Sequence, residues 1–146
     1  MIDLIPSSEQ EALLDAVTSF IRSELPLERR RPAPGKFRPD IPLENWQRFG
    51  ELGWLGLSLP EPSGGTGYGL AEEVLVFREF GRYLLTPSLL AAAVAAQLAH
   101  RCGDAALARA IASGSRRVAL ALPISGALAA AGGGFHLVDA GASQLV

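Results

Sequence analysis

The sequence is poor in the residues that form disulfides and metal sites. It has one cysteine, Cys102, which excludes an internal disulfide and fits a reducing compartment. His100 lies two positions from Cys102 on a predicted helix, so the two side chains do not share a face, and His136 is remote in sequence. Because no group of residues has the spacing of a metal site, we predict no bound metal.

Long apolar runs and a strong charge of either sign are also missing. The longest apolar run, residues 89–96, is far shorter than the roughly 20 residues that a membrane-spanning helix needs. The N-terminus, MIDLIPSSEQ, has no basic start before an apolar core, unlike a signal peptide. A net charge of −2 gives no reason to expect a nucleic-acid partner. These features predict a cytoplasmic protein, and a hydrophobic content of 49% is enough for a substantial core.

One stretch, residues 49–81, carries most of the information in the sequence. It reads FGELGWLGLSLPEPSGGTGYGLAEEVLVFREFG. A helix is predicted to end at Gly53, where glycine can adopt the left-handed conformation. Three leucines then alternate with small residues, which predicts one apolar edge of an extended segment: Leu55, Leu57 and Leu59. Prolines and a glycine-rich loop follow, and the next helix begins at about Leu70.

Apolar residues at helical spacing predict five helices within residues 1–115. The first opens with an S-x-x-E capping box at Ser8 and ends before Pro26. The other four are predicted to begin at these positions: after Pro42, near Leu70, at Thr86 and at Asp104. The second helix is predicted to bury Leu43, Trp46, Phe49 and Leu52, and the third to align Leu70, Val74, Phe77 and Gly81.

The pattern changes to short strands from residue 116 onward. Candidate strands lie at residues 116–122, 135–139 and 143–146, separated by an Ala/Gly-rich segment and a short turn. We therefore predict a mainly α protein, in which residues 1–115 form a helical bundle and residues 116–146 form the incomplete start of a β-domain.

The glycine-rich loop at residues 65–69 invites a phosphate-binding interpretation that its spacing does not support. It lacks both the G-x-G-x-x-G fingerprint and the lysine of a P-loop. Glu72 and Glu73 would also repel an anion at the start of the following helix. A tight turn is the preferred interpretation, and Tyr68 within it is free to point into a pocket. No serine lies in a G-x-S-x-G pattern, so a hydrolase is unsupported.

The same stretch resembles the amino-terminal helical domain of the acyl-CoA dehydrogenase superfamily. The family's L-G-x-x-G-x-x-x-P-E-x-x-G-G-x-G passage is matched by Leu52, Gly53, Gly56, Pro60, Glu61, Gly64, Gly65 and Gly67. VFREFGRYLLTP is similar to the family's E-E-L-G-R helix, and CGDAALARAIASGSRRVALAL to the passage that leads into its middle β-domain. The order and spacing of these motifs extend the resemblance over nearly the whole chain.

The resemblance implies a flavin-dependent oxidation of an acyl-CoA. In that family FAD accepts a hydride from the β-carbon while a glutamate base takes the α-proton. The base lies in later domains, so the resemblance assigns no catalytic residue to this chain, and the helical domain walls the acyl and flavin pocket. The implied partners are an acyl-CoA, other acyl-CoA dehydrogenase subunits in a homo- or hetero-oligomer, and an electron-transfer flavoprotein.

Two sets of site residues follow from the resemblance. The family's A-L-T-E-P-x-x-G-S passage corresponds to residues 119–127, ALALPISGA, where an alanine replaces the threonine that meets the flavin ring. Backbone N–H groups would serve in its place, because they do not depend on side-chain type. The flavin candidates are Leu120, Ala121, Ser125 and Gly126, and the acyl-pocket candidates are Tyr68, Leu90 and Val94. On spacing alone, Leu90, Val94 and Leu98 form one helical line that favours the core, and the resemblance raises the acyl pocket to an equal alternative for Leu90 and Val94.

Two alternatives to a catalytic acyl-CoA dehydrogenase remain open at this point. One is a non-catalytic, flavin-poor subunit that packs against another acyl-CoA dehydrogenase chain. The other is a helical binding module with no redox chemistry. A yellow colour of the purified protein would favour the catalytic reading, and co-purification with a longer homologous subunit would favour the non-catalytic one.

Overall fold

The structure of the 146-residue chain is a computed structural model that describes residues 5–30, 41–85, 87–123 and 134–138. The described part contains five α-helices, two 3-10 turns and two strands. The helices are α1 (Ser8–Glu24), α2 (Leu43–Glu51), α3 (Leu70–Arg82), α4 (Ser88–Arg101) and α5 (Ala105–Ala112). The 3-10 turns are Leu27–Arg30 and Glu61–Ser63, and the strands are β1 (Leu120–Pro123) and β2 (Phe135–Val138). The mainly α fold with a small β segment is confirmed.

Local capping explains where the helices begin and end. The capping box of α1 lies one residue earlier than predicted, because Ser7 Oγ accepts from the amide of Gln10 while Gln10 Oε1 accepts from the amide of Ser7. Asp104 caps α5 as predicted, through a bond from the amide of Leu107. Beyond α2, Gly53 has φ +76°, the left-handed conformation that closes the helix.

The prediction of an extended segment at residues 55–59 is wrong. The chain makes consecutive turns there, with the amide of Gly56 bonded to Gly53 O and the amide of Leu59 bonded to Gly56 O. Turns point successive side chains in directions that period-two alternation does not describe, and all three leucines reach the core. Their predicted burial is therefore confirmed although their predicted conformation is not.

The glycine-rich loop folds directly back onto these turns. The amide of Gly67 donates to Leu59 O at 2.9 Å, and the amide of Tyr68 donates to Leu57 O at 2.8 Å. A Cβ atom at Gly65 would collide with the carbonyl oxygen of Leu59. Only glycine permits this approach of two backbone segments, which explains the paired glycines before α3.

Aromatic rings from three helices and the central turns meet in the core. Phe20 of α1, Phe49 of α2 and Trp54 contact one another edge to face, with ring centroids 5.2–5.6 Å apart. Phe80 of α3 joins them, its ring centroid 5.4 Å from that of Phe49. Such edge-to-face pairs add to the burial of the rings and fix how the helices pack.

The buried face of α2 differs in part from the predicted apolar face, and the predicted apolar line of α3 is not the face that α3 buries. In α2, Trp46 and Phe49 are buried but Leu43 and Leu52 are exposed. In α3 the buried residues are Val76, Glu79 and Phe80, whereas Leu70 and Val74 face outward. The buried Glu79 carboxylate is compensated by ion pairs with Arg78 and Arg82, each at 3.2 Å, which lets this face turn inward.

The β segment is a two-stranded antiparallel sheet that pairs Leu120 with Val138 and Pro123 with Phe135. The first strand begins later than the predicted residue 116, because Arg117 is buried against the helices. Its Nη1 donates to Ile41 O at 3.2 Å, and its Cζ lies 4.6 Å from the centre of the Trp46 ring. The predicted strand at residues 143–146 lies outside the described residues, and the domain division at residue 115 stays a prediction. No helix in the described ranges is long and apolar enough to cross a membrane.

We predict that Leu59→Ala lowers the free energy of unfolding by about 2–5 kcal/mol. Leu59 is only 1% exposed, and the backbone of the glycine loop packs against it, so the cavity cannot readily collapse. Leu43→Ala is the matched control, because Leu43 is 59% exposed. Urea denaturation measures both, and equal midpoints for the two variants would contradict this account of the core.

Candidate functional site

An apolar groove of about 350 Å³ runs between α3 and α4. Its α3 side is formed by Leu70, Glu73, Val74 and Phe77, and its α4 side by Leu90, Ala93, Val94, Gln97, Leu98 and Arg101. Leu90 and Val94, two of the predicted acyl-pocket residues, therefore line one surface together.

The groove is open because α4 buries its opposite face. Small residues on that face lie against the rest of the helical part: Ala91, Ala92, Ala96 and Ala99. The line Leu90, Val94 and Leu98 is left 52%, 50% and 58% exposed. Sequence spacing identified this line, and the structure shows that it faces a groove.

A chain of polar side chains crosses one wall of the groove. Gln97 Nε2 donates to Ser58 Oγ at 2.7 Å, and Ser58 Oγ donates to Glu73 Oε2 at 2.8 Å. Glu73 as a carboxylate can only accept, so the single hydroxyl hydrogen of Ser58 goes to it, and Ser58 must accept from the amide nitrogen of Gln97. The direction of these two hydrogen bonds fixes the orientation of the Gln97 amide. The bonds also connect α3 to α4 through Ser58 in the turns between α2 and the glycine-rich loop.

Sequence reasoning missed this polar chain and the α3 half of the groove. Leu70 and Val74 were predicted from their helical spacing to share one line of α3, but no groove was assigned to that line. Ser58, Glu73 and Gln97 are far apart in sequence, and no local motif signals their contact.

Tyr68 lies in a different cleft from Leu90 and Val94. That cleft has a volume of about 270 Å³ and is lined mainly by polar residues of α1 and of the loop before α3: Ser7, Glu9, Gln10, Leu13, Gly67, Tyr68, Gly69 and Glu72. The three predicted acyl-pocket residues are thus divided between two surfaces.

Glu72 connects the two helices that border this second cleft. Gln10 Nε2 donates to Glu72 Oε1 at 2.6 Å, and the amide of Gly69 donates to Glu72 Oε2 at 2.9 Å. The hydrogen bond from Gln10 is the largest cause that holds the pKa of Glu72 below its ordinary value; backbone N–H bonds add to it and outweigh the opposing effect of burial.

Two of the four predicted flavin residues lie on β1, and the other two, Ser125 and Gly126, lie outside the described residues. Leu120 and Ala121 are exposed, opposite Val138 and Leu137 of β2. The large apolar side chains of both strands are also exposed, by 41–64%: Leu120, Leu122, Phe135 and Leu137. By the strand register, Leu120 and Leu122 lie on one face of the sheet and Phe135 and Leu137 on the other, so each face offers two large apolar side chains. A flat aromatic ring system such as that of a flavin can pack on such a face, so the residues fit the group in chemical character. The strand residues would leave one face of the ring system open to water.

No group of three or more metal-ligating side chains comes together among the described residues. His100 instead contacts Ser63, with Nδ1 2.8 Å from Ser63 Oγ. This bond joins the end of α4 to the 3-10 turn before the glycine loop.

Comparison with known proteins assigns the chain to a family. The family model for the acyl-CoA dehydrogenase N-terminal domain matches residues 7–115. The chain belongs to the acyl-CoA dehydrogenase family. Among curated acyl-CoA dehydrogenases, FadE12 of two Mycobacterium tuberculosis strains is 37% identical to it over 78 residues, which is 51% of this chain and 19% of the relative.

Two solved structures extend the similarity of this acyl-CoA dehydrogenase chain to the fold. An acyl-CoA dehydrogenase from Mycobacterium smegmatis superimposes with a TM-score of 0.65 at 30% identity, covering 82% of this chain and 32% of that one. The structure described as the Tcur3481-Tcur3483 steroid ACAD gives a TM-score of 0.63 at 25% identity, covering 86% and 34%. The chain thus spans about a fifth of the curated relatives and about a third of the solved structures.

We predict that Gln10→Met raises the pKa of Glu72 and makes the protein less sensitive to acid. The folded-state pKa of Glu72 is lowered, so Glu72 stabilises the fold above the unfolded carboxyl pKa of about 4.3, and this contribution disappears as the pH falls through the folded value. The destabilisation caused by Gln10→Met should therefore be larger at neutral than at acidic pH.

Titration of Glu72 followed by NMR, together with urea denaturation at both pH values, measures this effect. Ser7→Ala is the control, because it removes a cap of α1 without removing the Gln10–Glu72 bond. An unchanged Glu72 pKa in Gln10→Met would show that this bond does not set it.

Proposed function

We propose that this chain is the amino-terminal helical part of a flavin-dependent acyl-CoA dehydrogenase that oxidises the Cα–Cβ bond of an acyl-CoA. The groove between α3 and α4 holds part of the acyl group. The observation that supports this best is an apolar groove of about 350 Å³ in a chain of a family named for its acyl-CoA substrates.

The walls of the groove suit an alkyl chain. Leu90, Val94 and Leu98 are each at least half exposed, so an acyl chain that covers them removes apolar surface from water on both partners. Each Å² removed contributes roughly 25 cal/mol. Val74 and Leu70 are similarly exposed on the facing helix, so the groove offers an acyl chain two apolar walls.

The role that we assign to these residues is to position the acyl chain and to exclude water from it. A dry pocket strengthens the interactions that polarise a thioester. Apolar side chains do not compete for the hydrogen bonds of the thioester carbonyl, because they have no polar atoms. FAD, when bound, would supply the acceptor for the hydride. We assign no catalytic residue to this chain, since the resemblance places the glutamate base in later domains of the family. An electron-transfer flavoprotein as acceptor and a cytoplasmic location rest on that resemblance alone.

We predict that Val94→Phe shortens the longest acyl chain that the groove accepts. A phenyl group in place of the isopropyl group would fill the middle of the groove, where Val94 is 50% exposed. Butanoyl-CoA, octanoyl-CoA and hexadecanoyl-CoA would be titrated into the protein while the methyl signals of Leu90 and Leu98 are followed by NMR. The variant should lose affinity for the longer two and keep that for the shortest.

Leu43→Phe serves as the control, because it makes the same kind of enlargement on an exposed position of α2 outside the groove. If octanoyl-CoA leaves the groove methyl signals unchanged, the groove does not bind an acyl chain. Equal chain-length preference in wild type and Val94→Phe would remove Val94 from the site.

We predict that the 146-residue chain purifies as a colourless helical protein without acyl-CoA dehydrogenase activity. The exposed apolar sheet leaves a flavin open to water on one side, and such a surface holds a ring system weakly. Absorbance in the visible range and a dye-reduction assay with octanoyl-CoA measure the two properties. A yellow, active preparation of this chain alone would refute the prediction.

The exposed sheet also favours a second candidate, a non-catalytic subunit that packs against another acyl-CoA dehydrogenase chain. Both strands present large apolar side chains to water, and a two-stranded sheet gains stability when further strands or another surface cover it. Co-purification of tagged protein with a longer acyl-CoA dehydrogenase subunit, which protects β1 and β2 from hydrogen exchange, would support this candidate. A monomeric protein with unprotected strands in the presence of that subunit would exclude it.

A further inference from the structure

We propose that Ser58 is a positioning residue that keeps the surface of the α3–α4 groove free of polar atoms. This inference rests on the proposed function and names a residue that acts on the acyl-binding surface from behind it. Ser58 lies in the turns before the glycine-rich loop and is not one of the residues that line the groove. Its effect on a bound acyl chain is therefore exerted through the two polar side chains that it holds.

The surface of the groove is almost entirely carbon, although Glu73 and Gln97 are among its lining residues. Both side chains are half-buried, and both direct a polar end to Ser58. Gln97 Nε2 donates to Ser58 Oγ at 2.7 Å, and Ser58 Oγ donates to Glu73 Oε2 at 2.8 Å. The two side chains thus contribute mainly their methylene groups to the wall, while their polar ends are held away from it.

One hydroxyl group supplies what both polar ends require. The carboxylate of Glu73 needs a donor, the amide nitrogen of Gln97 needs an acceptor, and Ser58 Oγ serves as both. An alanine at this position would leave each end without that partner. The two ends would then turn to water, and the groove that these side chains line is open to water.

The backbone around Ser58 holds its hydroxyl group in a fixed place. The amide of Tyr68 donates to Leu57 O at 2.8 Å, and the amide of Gly67 donates to Leu59 O at 2.9 Å. Leu57 and Leu59, which flank Ser58, are each only 1% exposed. Because both neighbours are packed in the core, Ser58 cannot follow its partners if they move toward the groove, and its hydroxyl is an anchor for them.

The loss of this anchor would weaken the binding of an alkyl chain. A chain that enters a groove with released polar ends has to displace water from a carboxylate or an amide. A hydrocarbon does not replace those hydrogen bonds, and the penalty is larger for a charged group than for a neutral one. A longer chain covers more of the wall, so we expect the penalty to grow with chain length.

The test compares the wild-type chain with Ser58→Ala. Dissociation constants of butanoyl-CoA and octanoyl-CoA come from the methyl signals of Leu90 and Leu98. Octanoyl-CoA should bind the variant about 2- to 10-fold more weakly, the range expected for the loss of one net hydrogen bond. Butanoyl-CoA should be affected less, so the preference for octanoyl-CoA should shrink. The side-chain amide protons of Gln97 should also exchange with water faster in Ser58→Ala.

Two further variants separate this role from a general effect on stability. Ser58→Thr keeps the hydroxyl group and should retain both the wild-type preference and the slow exchange. Thr66→Val is the matched control, because Thr66 Oγ1 donates to Leu57 O at 3.0 Å and belongs to the same region without joining the polar chain. It should lower the midpoint of urea denaturation and leave the preference for octanoyl-CoA unchanged.

The outcomes distinguish this inference from the proposed function. If octanoyl-CoA binds in the groove and Ser58→Ala keeps the wild-type preference, the role of Ser58 is refuted and the acyl-binding function stands. The role is refuted as well if Thr66→Val reduces the preference as much as Ser58→Ala, or if Ser58→Thr behaves like Ser58→Ala. If neither acyl-CoA shifts the groove signals of the wild-type chain, both proposals fall.

Discussion

The close contact between the glycine loop and the buried turns before it is the constraint on which the rest of the helical part depends. Gly65 lies against the Leu59 carbonyl, and the amides of Gly67 and Tyr68 bond to the backbone of the same turns. Because any side chain at Gly65 would separate the two segments, this contact fixes the point from which α3 departs. The position of α3 then decides the width of the groove, and the bond from Ser58 to Glu73 anchors α3 to the same turns.

Helix existence and helix ends were predictable because both depend on local chemistry. Apolar spacing, Asp104 as a cap and Gly53 as a terminator each act within a few residues of the chain. The buried face of α3 was not predictable in the same way. The helix has apolar residues on more than one line, and the choice of Val76 and Phe80 over Leu70 and Val74 depends on the aromatic cluster that receives Phe80.

The candidate site shows the same division between local and long-range information. The line of Leu90, Val94 and Leu98 was visible as a helical repeat, but only the alanine face packed behind it determines that it faces outward. The contact of Ser58 with Gln97 joins residues 39 positions apart, and no spacing rule reaches that far. Tyr68 is adjacent to α3 in sequence, yet the loop directs it toward α1 and away from α4.

Arg117 joins the helical part to the sheet in a way that affects how the protein opens. Its guanidinium group lies over the Trp46 ring of α2 and bonds to Ile41, so the chain is held only three residues before β1 begins. Val118, next to it, is also buried. We therefore expect a local opening of α2 to remove the anchor of β1 as well, which would couple the strand to the packing of a tryptophan on the other side of the change in composition.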